Sequence, residues 1–413
     1  MKKQMTLTTQ IFIALLAGVV FGVIANLFLS QEVYQALEKW ILTPVGNIFI
    51  RGIRMMVVPL VLISLACGAA GIGDLKKLGR IGGKTLIFYM STTAIAITIG
   101  LILAYIINPG IGINLSSEAA FQSKTPPFIM DVLTDIIPTN PFAAMTEGNM
   151  LQIILFAILT GIAIAYVGEK AQPILELANI LNEVMIKMVS IVLVFAPYGV
   201  FALIAKVIAS QGLEIILPLI KYMSTVLLAL LLHTTITYSS ALTLLARVNP
   251  LTFFKKFSPT MMVAFSTSSS NATLPVTIET VESKLGVSNE ICSFTLPLGA
   301  TINMDGTSIM QGVATIFIAQ VFGIDLSFQA LLMVILTATL ASIGTAGVPG
   351  VGLITLSMVL QSVGLPVEGI ALIIGVDRIL DMTRTVVNIT GDAVATIVIG
   401  NSEGAFDRVK FNS

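Results

Sequence analysis

The run Asp377-Arg378-Ile379-Leu380-Asp381-Met382-Thr383-Arg384-Thr385-Val386-Val387-Asn388-Ile389-Thr390-Gly391-Asp392 lies inside an apolar stretch from about Gly369 to Ile399. At about 100° per residue, Asp377, Asp381, Arg384, Asn388 and Asp392 share one narrow stripe of a helix, and Thr385 borders it. The other faces are Val, Ile, Leu and Ala. On a soluble helix such a stripe faces water. In a membrane the same groups are costly and mark an ion or substrate path. The plainer alternative is an ion-paired seam between helices.

Composition decides between the two settings. Of 413 residues, 56% are hydrophobic and only 11% charged, against about a quarter charged in soluble domains. Apolar segments of about 20 residues, each long enough to cross a bilayer, recur along the chain. The reading is an all-α polytopic membrane protein in contact with lipid. The net charge is zero, so nothing suggests nucleic-acid binding. Cys67 and Cys292 lack metal-type spacing and read as structural thiols. The single histidine, His233, cannot make a multi-histidine metal site, and a packed, hydrogen-bonded role is expected. Met1-Lys2-Lys3 precedes a long span with no small-residue cleavage site, which reads as an uncleaved first helix.

Spans are expected at about 10–30, 41–70, 84–108, 127–168, 171–211 and 213–246. Pro141 should break the fourth, and Pro197-Tyr198-Gly199 the fifth. Basic residues gather in alternate connections: Lys2 and Lys3; Lys76, Lys77, Arg80 and Lys84; Lys170; Arg247, Lys255 and Lys256; Lys284; Arg408 and Lys410. This asymmetry places both termini in the cytoplasm and requires an even number of full crossings.

Beyond residue 250 the pattern changes. The segment 251–284 is too polar at Ser266-Thr267-Ser268-Ser269-Ser270-Asn271-Ala272-Thr273-Leu274-Pro275 to be an ordinary span. The segment 328–365 is centred on Ser342-Ile343-Gly344-Thr345-Ala346-Gly347-Val348-Pro349-Gly350. Each has two half-length apolar arms around a small-residue tip, as a re-entrant hairpin requires. Irregular backbone at membrane depth survives only where protein or a water-filled cavity satisfies it. Two such interruptions point to a transporter's midplane site. Between them, Leu296-Pro297-Leu298-Gly299-Ala300-Thr301-Ile302-Asn303-Met304-Asp305-Gly306-Thr307 should unwind the helix of about 288–322. Freed carbonyls there are hard ligands for a small hard cation, to which Asp392 could add a full negative charge.

These motifs resemble the glutamate transporter family, the dicarboxylate/amino acid:cation symporters that include archaeal aspartate transporters and animal excitatory amino-acid transporters. The resemblance covers essentially the whole chain. It is most specific in Ser268-Ser269-Ser270, Asn303-Met304-Asp305-Gly306-Thr307, Ala346-Gly347-Val348-Pro349-Gly350 and Asp381 to Asp392. It implies eight transmembrane helices plus two re-entrant hairpins, assembled as a homotrimer in the inner membrane. A scaffold of helices one, two, four and five (1–83 and 127–211) would hold the trimer. A transport domain of helix three (84–108) and residues 213–403, ending in helix eight at about 369–403, would move as an elevator.

The resemblance also assigns roles. Arg384 would grip a substrate side-chain carboxylate, and its planar fork suits a two-oxygen partner. Asp381 would take the α-amino group. Asn388, Thr307 and the backbone near Ser269, Ser270 and Val348 would hold the α-carboxylate, with Thr385 and Gly352 completing the pocket. For sodium, the coupling ion, Gly299, Asn303 and Asn388 carbonyls with Asp392 resemble one site. Thr301, Ser342, Ile343 and Thr345 carbonyls resemble a second. Tyr89, Thr92, Thr93, Asn303 and Asp305 resemble a third.

Three departures stand out. Archaeal members have an arginine where this chain has Ser268, and animal members have one where it has Met382. Arg378 is near but projects about 100° from Asp377, so it is not assigned as a substitute, and Asp381 is expected to be less constrained. Gln311 occupies the position of a glutamate tied to proton movement in animal members, so that route is expected to be closed. Arg384 implies an acidic substrate and Asp381 an amino group, together aspartate or glutamate; one methylene, at ~1–3 kcal/mol, does not separate them. The same fold running on protons, with glutamate or a C4-dicarboxylate as substrate, is the alternative. A serine hydrolase around Ser268–Ser270 would need a base, and no His or Lys follows until Lys284. The paired gates argue against an open channel.

Overall fold

The computed structural model describes residues 7–72, 75–112, 134, 137–212, 216–343, 345, 347 and 350–413. Among these the chain is helical almost throughout and has no strand, only an isolated antiparallel bridge between Val287 and Phe406. Four helical stretches among the described residues are long and apolar enough to cross a membrane. Phe28, Trp40, Ile106, Tyr166 and Leu244 are exposed on the outside, as lipid contact allows. The protein is a multi-pass membrane protein.

The first part comprises α1 (Leu7–Phe28), α2 (Gln31–Leu37), α3 (Thr43–Ile72) and α4 (Leu75–Ile107). Helix α4 starts well before residue 84, where hydropathy placed it. Lys and Arg propagate a helix about as well as Leu, so hydropathy marks the apolar span and not the helix end. Pro141 does not break a helix but starts one, α5 (Pro141–Glu147), behind an Asn140 cap whose Oδ1 accepts from the Phe142 and Ala143 N–H groups. The break falls at Gly148, which is left-handed at φ 71°, before α6 (Met150–Val167). Proline costs little in a first turn, where the N–H has no partner anyway. The same logic applies at Pro197, in the first turn of α8 (Ala196–Gln211), with Phe195 separating it from α7 (Gln172–Val194).

Helix α9 (Ile216–Leu232) continues as wide π-type turns over His233–Tyr238 and Leu242–Ala246. Helices α10 (Pro250–Thr267) and α11 (Ser270–Ser283) form the first helical hairpin, α14 (Phe328–Ser342) and α15 (Val351–Ser362) the second. Between them the chain runs through α12 (Asn289–Ile302) and α13 (Asp305–Val321). Helix α16 (Ile370–Ser402) is continuous over 33 residues, about 50 Å at 1.5 Å per residue. A short α17 (Arg408–Asn412) ends the chain.

Packing places α16 at the centre. It touches α12, α13, both arms of the first hairpin, α9 and α4, while α4 lies along α13. Helix α1 lies against α8, and α3 against α6, α7 and α8. Helix α13 is buried along nearly its whole length, the condition of a helix inside a bundle. The two hairpin tips meet: Ser269 Oγ donates to the Gly347 carbonyl at 2.6 Å, and the Asn271 N–H reaches the same oxygen at 3.3 Å.

Candidate functional site

The break between α12 and α13 consists of Asn303 and Met304. Asn303 is extended (φ −87°, ψ 97°), and its side chain ties this break to α16. Its Nδ2 donates to the Asn388 carbonyl and to Asp392 Oδ1, each at 2.9 Å, while its backbone N–H bonds the Gly299 carbonyl at 2.8 Å. Gly299, Asn303, Asn388 and Asp392 therefore converge. Glycine is required at 299 for lack of room: a Cβ there would lie 2.5 Å from both Asp392 Oδ1 and the Tyr89 hydroxyl. Asn303 Oδ1 is buried with no hydrogen-bond partner. A buried oxygen without a donor, next to carbonyls and a carboxylate, fits a small hard cation.

A second cluster surrounds Asp305, which is fully buried. Thr93 Oγ1 donates to its Oδ1 at 2.6 Å, while the Tyr238 hydroxyl (2.9 Å) and His233 Nε2 (3.1 Å) face Oδ2. Tyr89 donates to the Thr295 carbonyl, and Thr92 turns back to the carbonyl of Tyr89. The stretch Tyr89–Thr93 is thus brought against Asp305 and Asp392. His233 and Tyr238 were not assigned to the site from the sequence. An α-helix would set residues five apart about 140° from one another; the π-type turn, with its i→i+5 pattern, lets both face Asp305. A lone histidine in an apolar span was the available signal.

On α16 the polar stripe is an ion cluster. Arg384 is fully buried. Its Nη1 donates to Asp377 Oδ1 at 2.6 Å and its Nη2 to Asp381 Oδ1 at 2.8 Å; its Nε is buried without a partner. Asp381 Oδ2 faces Arg378 Nη1 at 3.4 Å and the Gly350 N–H at 3.3 Å. Asp381 is therefore not loosely held, and Arg378 is its partner. The relevant angle runs from Arg378 to Asp381, three residues on, where side chains lie on one face. Thr385 Oγ1 bonds its own helix at the Asp381 carbonyl.

The other described positions expected to line a pocket lie around this cluster. Asn388 Oδ1 accepts the Gly306 N–H at 2.8 Å. A Cβ at Gly352 would lie 3.3 Å from Arg384 Nη2 and from the Thr307 methyl, so Gly352 and Thr307 flank the guanidinium. Ser269 and Ser270 stand at the first hairpin tip against Gly347. Val348 lies outside the described residues. The group of Thr301, Ser342, Ile343 and Thr345 is not drawn together by its side chains. Thr301 bonds its own helix at Leu298, Ser342 at Thr339 and Thr345 at Ala341.

The donors at the α12–α13 break are carbonyl, amide and hydroxyl oxygens with isolated carboxylates; among the described residues no three His, Cys, Asp or Glu side chains converge. The sequence model of the sodium:dicarboxylate symporter family matches residues 7–402. The chain is 38% identical over 417 aligned residues to the proton/sodium-glutamate symport protein of Bacillus caldotenax, covering 99% of this chain and 97% of that one. It is 39% identical to the proton/glutamate-aspartate symporter of Escherichia coli (strain K12), over 98% and 95% of the two chains. It is 36% identical to the C4-dicarboxylate transport protein of Rhodospirillum rubrum, over 97% and 89%. With two helical hairpins meeting at their tips beside a buried ion cluster, and a family match along almost its whole length, this chain is a member of the sodium:dicarboxylate symporter family.

Proposed function

We propose that the protein is a secondary symporter that imports an acidic amino acid, L-aspartate or L-glutamate, coupled to sodium. The observation behind this reading is the pairing of Arg384 with Asp381 at the hairpin tips. A guanidinium with a buried unused Nε–H suits a carboxylate, and the adjacent carboxylate suits an ammonium. Sodium is supported by the oxygen donors at Asn303 and Asp392 and by the orphan Asn303 Oδ1. Tyr89, Thr92, Thr93 and Asp305 are proposed as a neighbouring ion site, and Thr301, Ser342, Ile343 and Thr345 as one that forms only when the second hairpin moves. Helix α4 (Leu75–Ile107), whose observed start moves the expected boundary from residue 84 back to about 75, would travel with residues 213–403 as one body against the preceding helices and 127–211, in a homotrimer of the inner membrane with both termini cytoplasmic. The packing of α4, α9 and α10–α16 around one another supports that division.

Binding tests it directly. Purified protein should bind labelled L-aspartate in sodium chloride and lose binding by at least about ten-fold in choline chloride, the scale of one ionic contact. Equal binding in both salts would refute sodium coupling. Proton coupling is the second reading, since relatives of similar identity are named as proton symporters.

A further inference from the structure

The ion cluster on α16 holds more carboxylates than guanidinium groups around Arg384. Asp377, Asp381 and Arg384 together have a formal net charge of −1 in a site where Arg384 is fully buried. A substrate with two carboxylates would meet that excess negative charge. It would also have to draw Arg384 away from Asp381, leaving a poorly solvated carboxylate uncompensated, which is strongly unfavourable. An amino acid escapes the difficulty, because its ammonium replaces Arg384 on Asp381. A dicarboxylate without an amino group has no such replacement.

Arg378 supplies one. Its guanidinium faces Asp381 Oδ2, the oxygen that Arg384 does not use. Its side chain is 24% exposed against 1% for Arg384, so it stands at the rim while Arg384 stands inside. With Arg378 included, two carboxylates face two guanidinium groups and the cluster is neutral. Arg384 can then turn to an incoming carboxylate while Asp381 keeps a cationic partner.

We propose that Arg378 is a specificity-determining positioning residue that opens this site to C4-dicarboxylates lacking an amino group, alongside acidic amino acids. The inference rests on the proposed binding of acidic substrates at Arg384. Arg378 acts through Asp381 and does not need to touch the substrate.

The test is competition of unlabelled succinate against labelled L-aspartate, with wild type, Arg378→Ala, Arg378→Gln and Arg378→Lys in detergent. Wild type should bind succinate competitively. Arg378→Ala and Arg378→Gln should weaken succinate about ten-fold or more relative to L-aspartate, on the scale of one charge-assisted contact. Arg378→Lys should restore most of the ratio. A merely structural role would weaken both ligands together and leave the ratio unmoved. Should the alanine variant not fold, the glutamine variant, closer in length, reads the same ratio. No succinate competition in wild type, or an unchanged ratio in the neutral variants, overturns the proposal. Failure of wild type to bind L-aspartate at all would instead refute the underlying assignment.

Discussion

Arg384 bonds both Asp377 and Asp381 on α16. Removing it would strip the buried Asp377 of its bonded guanidinium and leave Asp381 with Arg378 alone, so Arg384→Ala should do more than abolish acidic substrate binding. It should also destabilise the protein by about 3–5 kcal/mol, the usual cost of breaking a buried ion pair from one side. Thermal unfolding in detergent checks this, and an unchanged midpoint would contradict the buried cluster. Asp392 makes a separable prediction. Asp392→Asn keeps a hydrogen-bonding side chain beside Asn303 but removes the charge. Sodium should then be needed at about ten-fold higher concentration or more to support L-aspartate binding; an unshifted sodium titration would exclude this carboxylate as a ligand.

At the scale of elements, the crossing of α13 and α16 is set by backbone contact. A Cβ at Gly306 would lie 2.5 Å from the Arg384 carbonyl oxygen. Gly306→Ala should therefore push the two helices apart and cost about 1–3 kcal/mol, the scale of overpacking, with loss of binding because the Gly306 N–H also holds Asn388. A variant with wild-type stability and affinity would show that this contact is relaxed at no cost. The elements themselves were largely legible in the sequence. Hydropathy placed the apolar helices seen among the described residues, though the start of the 127–168 span lies outside them, and the Ser-rich and Gly-rich interruptions gave both hairpins, because irregular backbone in an apolar run must be small and polar. Helix ends were less legible, since Pro141 and Pro197 start helices as readily as they stop them. The π-type turn at His233–Tyr238 was not legible at all: its residues are ordinary helix residues, and only tertiary contact with Asp305 selects the wider turn. The Arg378–Asp381 pair follows from i,i+3 spacing, which the angle between Arg378 and its neighbour Asp377 does not reveal.

At the scale of the molecule, α4 and α16 are tied together at one end by Glu403, which takes Arg80 and Lys84 as partners. Lys84 first, then Arg80, hold the Glu403 carboxyl below the usual carboxylate range. A lowered folded-state value means the contribution is fully present above the unfolded value, near 4.3, and is lost as pH falls through the lowered one. Glu403→Gln should thus lower the unfolding midpoint slightly at pH 7, as exposed pairs are weak, and the difference from wild type should shrink in acid. A difference that grows on acidification would reverse the sign of this coupling.

Sodium-coupled uptake of an acidic amino acid is read out by labelled L-aspartate in proteoliposomes. An inward sodium gradient is compared with an inward proton gradient in sodium-free buffer. Concentrative uptake with sodium, and none with protons alone, is the predicted result. Accumulation driven by protons alone would contradict it and would withdraw Asn303, Asp305 and Asp392 as sodium ligands.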